Sequence, residues 1–355
     1  MMKVTFLIPS MAGGGAERVI SELANEFVKE KIDTTILMTA GDECVYTLDS
    51  RVRLVSVGGI SGGSMRKRLK RLADMRRYFR KNRDNILIAF EPDAAFFAAV
   101  AKTGLSMKMI SSERNDPGSF GKQKTRKFAY RHSDRIVFQT GDAKAYFPVN
   151  VQKKGLVIPN PVSVPDIPVY NGERENTVVC VGRLEEQKNH RMLLKAFQIF
   201  SQQYPEYTLH MYGKGTLEKE LKLLSKKLDI DSKVIWEGFC SNIAERIQRA
   251  GMYVLSSDYE GISNSLLEAM AIGLPVIATD CPCGGCRLCI ENEKNGLLVP
   301  VGDDKAMAEA MGRIAAEPEK ADSMGKTASK IAERFSIRHI SGEWIALIKA
   351  FCVEE

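Results

Sequence analysis

Apolar positions in this chain fall into short continuous runs, separated by longer stretches in which they recur every three or four residues. Short apolar runs bounded by turn formers read as buried strands, and the 3.6-residue recurrence reads as amphipathic helix. The pattern predicts strands over 4–8, 34–38, 86–90, 107–111 and 135–139, with helices over 16–30, 65–81 and 122–131. A proline-rich stretch, Ile158-Pro-Asn-Pro-Val-Ser-Val-Pro165, and a loop to Asn176 interrupt it. The alternation then restarts, with strands over 178–181, 208–212, 233–237, 252–256 and 275–279 and helices over 190–203, 216–228, 243–249 and 265–272. Two βα series joined by a proline-rich linker predict an α/β chain of two doubly wound domains. The first domain is expected over 1–165 and the second over 166–340, with a helix over 341–355 packing back on the first. In such sheets a ligand is expected at the carboxyl ends of the strands, in the cleft between the domains.

Length supports that division, since 355 residues exceed one ordinary core and fit two. No apolar run reaches the roughly 18 residues of a membrane-spanning helix. The longest, over 86–101, is broken by Glu91, Pro92 and Asp93. The N-terminus enters a strand pattern at once and carries no cleavage signature, so a cytoplasmic protein is expected. Charge is uneven: residues 1–165 hold 28 Lys and Arg against 16 Asp and Glu, while residues 166–355 hold 23 against 28. A first half at +12 beside a second at −5 suggests that the first meets an anionic partner, nucleic acid or an acidic membrane. Of eight cysteines, Cys44, Cys180, Cys240 and Cys352 are scattered and read as ordinary thiols.

The richest segment is Ser256-Ser-Asp-Tyr-Glu260-Gly-Ile-Ser-Asn-Ser265-Leu-Leu-Glu268-Ala-Met-Ala-Ile-Gly273-Leu-Pro-Val. A strand ends near Ser256, a loop carries Glu260 and Gly261, and Ser263 or Asn264 can cap a helix that Gly273 ends. The N–H groups at that helix start suit a diphosphate. Glu260 and Glu268, near the same mouth, can accept hydrogen bonds from sugar hydroxyls. Either glutamate alone also fits an ordinary structural role.

Glu260-x7-Glu268 within Glu-Gly-x-x-Asn-x-x-x-Glu-Ala-Met-Ala-x-Gly-x-Pro-Val resembles the signature of glycosyltransferase family 4, retaining enzymes of GT-B fold. Gly13-Gly-Gly-Ala-Glu-Arg18, Val181-Gly-Arg183-Leu-Glu-Glu-Gln-Lys188-Asn, Tyr212-Gly-Lys-Gly215 and Glu237-Gly-Phe239 follow in the matching order. The resemblance implies two Rossmann-like domains facing a central cleft, with no cofactor or metal required. It implies that Glu268 binds the donor ribose, Glu260 a hydroxyl of the donor sugar, and Arg183 and Lys188 the diphosphate. Cleaving a sugar–phosphate bond builds negative charge on the leaving group, which fixed cations stabilise. Arg183, Lys188 and Glu260 are thus the candidate catalytic residues. Gly14, Gly15, Gly182, Gly213, Phe239, Gly261, Ile262, Ser263, Asn264, Ser265 and Glu268 complete the expected donor site.

Gly13–Gly15 lacks the G-x-G-x-x-G register, because the third position falls on Arg18. A glycine turn there still lets backbone approach a phosphate closely. Ser111-Ser-Glu113-Arg114-Asn115-Asp116-Pro117 should face the cleft, and Glu113, Arg114 and Asn115 are candidate acceptor contacts. Some relatives carry a functional histidine nearby, and this stretch has none. Met65–Lys81 sets Leu69, Leu72, Met75 or Ala73, and Phe79 amid dense basic charge, which suits either an interfacial helix on anionic lipid or a packed surface helix. Nucleic acid is disfavoured, since no binding motif or aromatic platform accompanies the charge. Cys281-Pro-Cys283-Gly-Gly-Cys286-Arg-Leu-Cys289 is a tight wrap for one metal and reads as incidental thiols before a zinc or iron–sulfur site. Asp229-Ile-Asp231 reads as a turn.

The expectation is a retaining glycosyltransferase moving a sugar from a nucleotide diphosphate, UDP in the first instance, to a lipid-linked saccharide at the inner membrane face. The resemblance is to bacterial enzymes of surface polysaccharide and glycan assembly. An epimerase of the same fold, acting on free UDP-sugar, and a non-catalytic lipid- or nucleic-acid-binding protein are the alternatives.

Overall fold

The computed structural model describes residues 2–57, 65–162, 169–240 and 242–353, and the chain divides into two compact units. One comprises Met1–Pro161 with Ile337–Glu355, the other Val162–Ser336. The boundary expected after Pro165 lies outside the described residues, as does the side chain of Cys352. The expected return at 341 is displaced, because the last helix already begins at Ile337 and runs to Val353.

In the first unit the strands are β1 (Lys3–Ile8), β2 (Asp33–Met38), β3 (Arg53–Ser56), β4 (Ile86–Phe90), β5 (Met109–Ser112), β6 (Arg135–Phe138) and β7 (Gly155–Val157). They form one parallel sheet in the order β3-β2-β1-β4-β5-β6-β7. Parallel strands covered on both faces are apolar along their length, and β1 and β4 are buried almost throughout. In register, Phe6 of β1 lies between Ile36 and Ile88. The helix Gly15–Lys29 covers them with Val19, Ile20, Leu23, Ala24 and Phe27, the stripe of an amphipathic helix. Phe6 meets Phe27 and Phe90 at 5.4 and 6.0 Å between ring centroids, and Trp344 of the last helix stacks on Phe90 at 5.9 Å.

The second unit repeats the design with β8 (Glu175–Val181), β9 (Thr208–Tyr212), β10 (Val234–Gly238), β11 (Ala250–Leu255), β12 (Val276–Thr279) and β13 (Leu297–Val299). They run parallel in the order β10-β9-β8-β11-β12-β13. Its core gathers Val178, Leu193, Phe197, Leu209, Met252, Val254 and Ile277. In both sheets the strand order reverses next to the first strand, between β1 and β4 and between β8 and β11. Such a reversal opens a crevice beyond the carboxyl ends of the strands.

Three strands that the apolar pattern does not predict, β3, β7 and β13, are all sheet edges. They have three or four residues each, too few to stand out as strand runs, and in β3 and β7 most are exposed. The helix Met65–Lys81 divides along its length. Met75 and Phe79 are buried in the unit, whereas Met65 and Leu69 are 69% and 60% exposed among Arg66, Lys67, Arg68 and Lys70. Leu69 therefore departs from the single apolar face expected. No helix among the described residues is long and apolar enough to cross a membrane.

Candidate active site

The β8/β11 crevice is where the second unit collects its polar groups. Beyond β8 the chain passes Gly182 and the exposed Arg183 into a short 3-10 turn, Glu186–Lys188. Asn189 then takes a left-handed conformation (φ 42°) and caps the helix His190–Gln203, its Oδ1 accepting from Met192 N at 3.1 Å. Beyond β11 come Ser256 to Glu260 and the helix Asn264–Ala271.

The two segments are cross-braced. Asp258 N donates to Gln187 O at 2.9 Å, and Gln187 Nε2 to Tyr259 O at 2.9 Å. Asn189 Nδ2 donates to Asp258 Oδ1 at 2.6 Å, and Ser256 Oγ to Lys188 O at 2.8 Å. This frame sets Lys188 Nζ 2.5 Å from Glu260 Oε1, which also accepts from Ser257 Oγ at 2.8 Å. The pair is largely shielded from water, with side chains 12% and 8% exposed. The Glu260 backbone is clamped from the β12 side, its N–H donating to Pro282 O at 2.8 Å and its carbonyl accepting from Cys283 N at 3.0 Å.

The helix Asn264–Ala271 starts against β8. Ser265 Oγ donates to Val181 O at 2.9 Å, which uses its one proton, so Tyr253 OH at 2.8 Å donates to it. The hydroxyl of Ser265 thus anchors the helix, while the diphosphate contact expected at this helix start is through backbone N–H groups. Ser263 stands at the N-cap without accepting a hydrogen bond from the helix, and Glu268 is buried one turn in.

Glycines here are required by contact. A Cβ on Gly213, whose φ is +141°, would lie 1.9 Å from Gly182 O, and one on Gly285 would lie 1.6 Å from Gly261 O. Gly182 N donates to Tyr212 O and Gly213 N to Gly238 O, linking the ends of β8, β9 and β10. Phe239 follows, 70% exposed. The arrangement presents an exposed guanidinium, a shielded ammonium and a carboxylate around one crevice. Chemically it can hold an anion and accept hydrogen bonds from hydroxyl groups.

In the first unit, Gly14 N donates to Tyr46 OH at 2.8 Å and Gly14 O accepts from it at 2.7 Å, so one phenol holds the glycine turn ahead of Gly15. Glu113 does not stand where an acceptor contact was expected. It is turned into the core, accepting from Tyr130 OH at 2.6 Å and Arg126 Nη1 at 3.3 Å. Burial raises its pKa, against the pull of Tyr130 and Arg126. Arg114 is half-buried, its guanidinium 4.9 Å from the Phe90 ring centroid and bonded to Ser112 and Asn160. Burial lowers its pKa, yet a guanidinium stays charged at neutral pH. Asn115 Oδ1 accepts from Asp116 N at 2.8 Å. Cys281, Cys283, Cys286 and Cys289 are all buried, and burial pushes the Cys289 thiol up to about 12. Among the described residues no cluster suits a metal ion.

The family described as Glycosyltransferase Family 4 matches residues 13–164, and that described as Glycosyl transferases group 1 matches residues 168–331. The chain belongs to glycosyltransferase family 4. This glycosyltransferase is 28% identical, over 98% of each chain, to the Campylobacter jejuni GalNAc-alpha-(1->4)-GalNAc-alpha-(1->3)-diNAcBac-PP-undecaprenol alpha-1,4-N-acetyl-D-galactosaminyltransferase. It is 26% identical to the Escherichia coli lipopolysaccharide 1,6-galactosyltransferase, over 85% of this chain and 86% of that one. TarM of S. aureus superposes with a TM-score of 0.83 at 15% identity, and Anabaena HepE in complex with UDP with 0.77 at 17%. Each covers 98% of this chain and 100% of its own. Likeness at those identities is one of fold, and the fold of this glycosyltransferase is GT-B.

Sequence reasoning gave no role to several residues of the glycosyltransferase's crevice: Gln187, Asn189, His190, Ser257 and Asp258. The signal was present as an unbroken polar run, Glu185 to His190, following a buried strand. Tyr46 carried no signal, because its partner is the backbone of a glycine 32 positions away.

Proposed function

We propose that this glycosyltransferase transfers a sugar, with retention of configuration, from a UDP-sugar to a lipid-linked saccharide in surface polysaccharide or glycan assembly. The Lys188–Glu260 pair at the β8/β11 strand reversal carries the reading, because it puts a cation and a hydroxyl acceptor in one crevice. Lys188 and Arg183 neutralise the donor diphosphate, helped by the helix start at Asn264, and Glu260 accepts from a sugar hydroxyl. Glu268 accepts from the ribose, while Gly182, Gly213, Phe239, Gly261, Ile262 and Ser263 line the donor. The turn at Gly14 and Gly15 is a further backbone contact to it. In the first unit Arg114 and Asn115 remain the acceptor contacts, and Glu113 supports them from the core.

The step is a same-face displacement. The bond from sugar C1 to the β-phosphate oxygen breaks, the bond to the acceptor oxygen forms, and the acceptor proton passes to the leaving diphosphate. Fixed cations supply the charge stabilisation, so no divalent metal is asked for. The names of the Campylobacter and Escherichia relatives support a lipid-linked or lipopolysaccharide acceptor, and HepE with bound UDP supports the nucleotide. Met65 and Leu69 among the basic residues of their helix support attachment to the inner face of the cytoplasmic membrane.

The experiment is a nucleotide-sugar screen by thermal stabilisation and hydrolysis, since a specific ligand raises apparent stability by mass action. UDP-sugar turnover is expected to survive EDTA and to fall about 10²–10³-fold in Arg183→Ala and Glu268→Ala. Unchanged turnover in both variants, or abolition by EDTA, overturns the proposal.

A further inference from the structure

Among the described residues His190 is the histidine that is buried, 2% exposed at the start of its helix. Its Nε2 lies 3.1 Å from Arg183 O, and its Nδ1 lies 3.6 Å from Cys180 Sγ. A carbonyl oxygen can only accept, so Nε2 carries the ring proton, and the lone pair on Nδ1 receives the thiol S–H. The surroundings keep both groups in those forms. Burial pushes the imidazole pKa down to about 4 and the Cys180 thiol up to about 12.

The ring thus ties three points together: the carboxyl end of β8 at Cys180, the Arg183 peptide, and the helix that begins where the loop ends. Arg183 O also accepts from Glu185 N at 2.8 Å, so both of its lone pairs are used. The side chain of Arg183 is exposed, and its aim depends on a peptide whose orientation the imidazole holds.

We infer that His190 is a positioning residue for sugar transfer, holding the Arg183 peptide so that the guanidinium meets the leaving diphosphate. The inference rests on the role proposed above for Arg183. A cation misplaced by about an ångström costs on the order of a hundredfold in rate.

The test uses the full-length enzyme and its UDP-sugar. Glutamine can set an amide N–H near the position of Nε2, whereas asparagine reaches only that of Nδ1 and leucine fills space without a donor. His190→Leu is expected to lower kcat roughly tenfold to a hundredfold, with the donor KM within about threefold. His190→Gln should return kcat to within about threefold of wild type. Adding His190→Leu to Arg183→Ala should cost little more than Arg183→Ala alone, because coupled residues are not additive. If His190→Leu does not fold, His190→Asn against His190→Gln reads the same difference. Full turnover in Arg183→Ala removes the role of Arg183, and this inference with it. A slowed Arg183→Ala beside equal kcat in the Gln and Leu (or Asn) variants, or additive losses, overturns the role of His190 alone.

Discussion

Each unit holds a shielded charge pair beyond the carboxyl ends of a parallel sheet, and the two are built differently. In the first, Arg126 and Glu113 are 1% and 2% exposed. Arg126 also donates to Pro117 O and Gln123 Oε1, and its guanidinium lies within 5.6 Å of the ring centroids of Phe120, Tyr146 and Phe147. Tyr130 takes up the same carboxylate oxygen. In the second, Lys188 and Glu260 sit at the mouth of the crevice, and among the described residues the ammonium bonds to Glu260 alone. An ammonium has three donors, so Lys188 retains capacity that Arg126 has spent on its own unit. A pair closed on itself holds a fold together; a pair with donors to spare can exchange its contacts with a ligand.

The largest expected effect separates the pairs directly. Arg126→Met leaves a buried carboxylate without its cation and should cost about 3–5 kcal/mol of stability in denaturant titration. Lys188→Met also strips a carboxylate of its cation, but Glu260 keeps the Ser257 hydroxyl and is less enclosed than Glu113, 8% against 2% exposed, so the loss of stability should be smaller. Turnover should instead fall about 10²–10³-fold, as when one donor to a developing charge is removed. Equal destabilisation by the two variants, with turnover kept in Lys188→Met, would erase the distinction.

The units also differ in how pH acts on their buried titratable groups. Burial lowers His190 from 6.5 to about 4, so the folded state resists its protonation. Its contribution, about 3 kcal/mol, is present above pH 6.5 and is lost as pH falls toward 4. Burial raises Glu113 above 4.5, so its contribution runs the other way, present below that pH and lost as pH rises through the folded-state value. His190→Gln should flatten the acid side of the stability–pH curve, and Glu113→Gln the alkaline side. Parallel curves for either variant and wild type would contradict the burial argument for that residue.

Much of this division was legible in the sequence, for identifiable reasons. Central strands such as β4 and β11 are buried on both faces and write themselves as apolar runs. Edge strands β3 and β7, at four and three residues, are too short to do so. Glu260 and Glu268 could be set at one mouth because loop and helix start lie within one short segment, whereas Lys188 was named through the family resemblance. Glu113 was placed on the wrong side of its strand end, since its partners Arg126 and Tyr130 sit on a later helix. The hydroxyl of Ser265 shows the same dependence: Val181 O, which takes its proton, is 84 positions away. Local pattern gives the element; which way a polar group turns depends on partners that only the fold brings near.

The smallest effect tests the charge contrast between the halves, +12 against −5. Arg66, Lys67, Arg68 and Lys70 are exposed around Met65 and Leu69, whereas Lys226 and Lys227 of the second unit are exposed on the helix that carries the exposed Leu223. A basic residue near an anionic bilayer contributes about 1 kcal/mol. Arg66→Glu with Arg68→Glu in the full chain should therefore weaken sedimentation with phosphatidylglycerol vesicles at least tenfold, and salt should weaken the wild type likewise. Met65→Ser with Leu69→Ser should remove the part of binding that persists in high salt, because that part is apolar burial. Lys226→Glu with Lys227→Glu should leave sedimentation unchanged. If that second pair weakens binding as much as the first, the attraction belongs to charge spread over the whole chain, and the helix Met65–Lys81 has no special part in it.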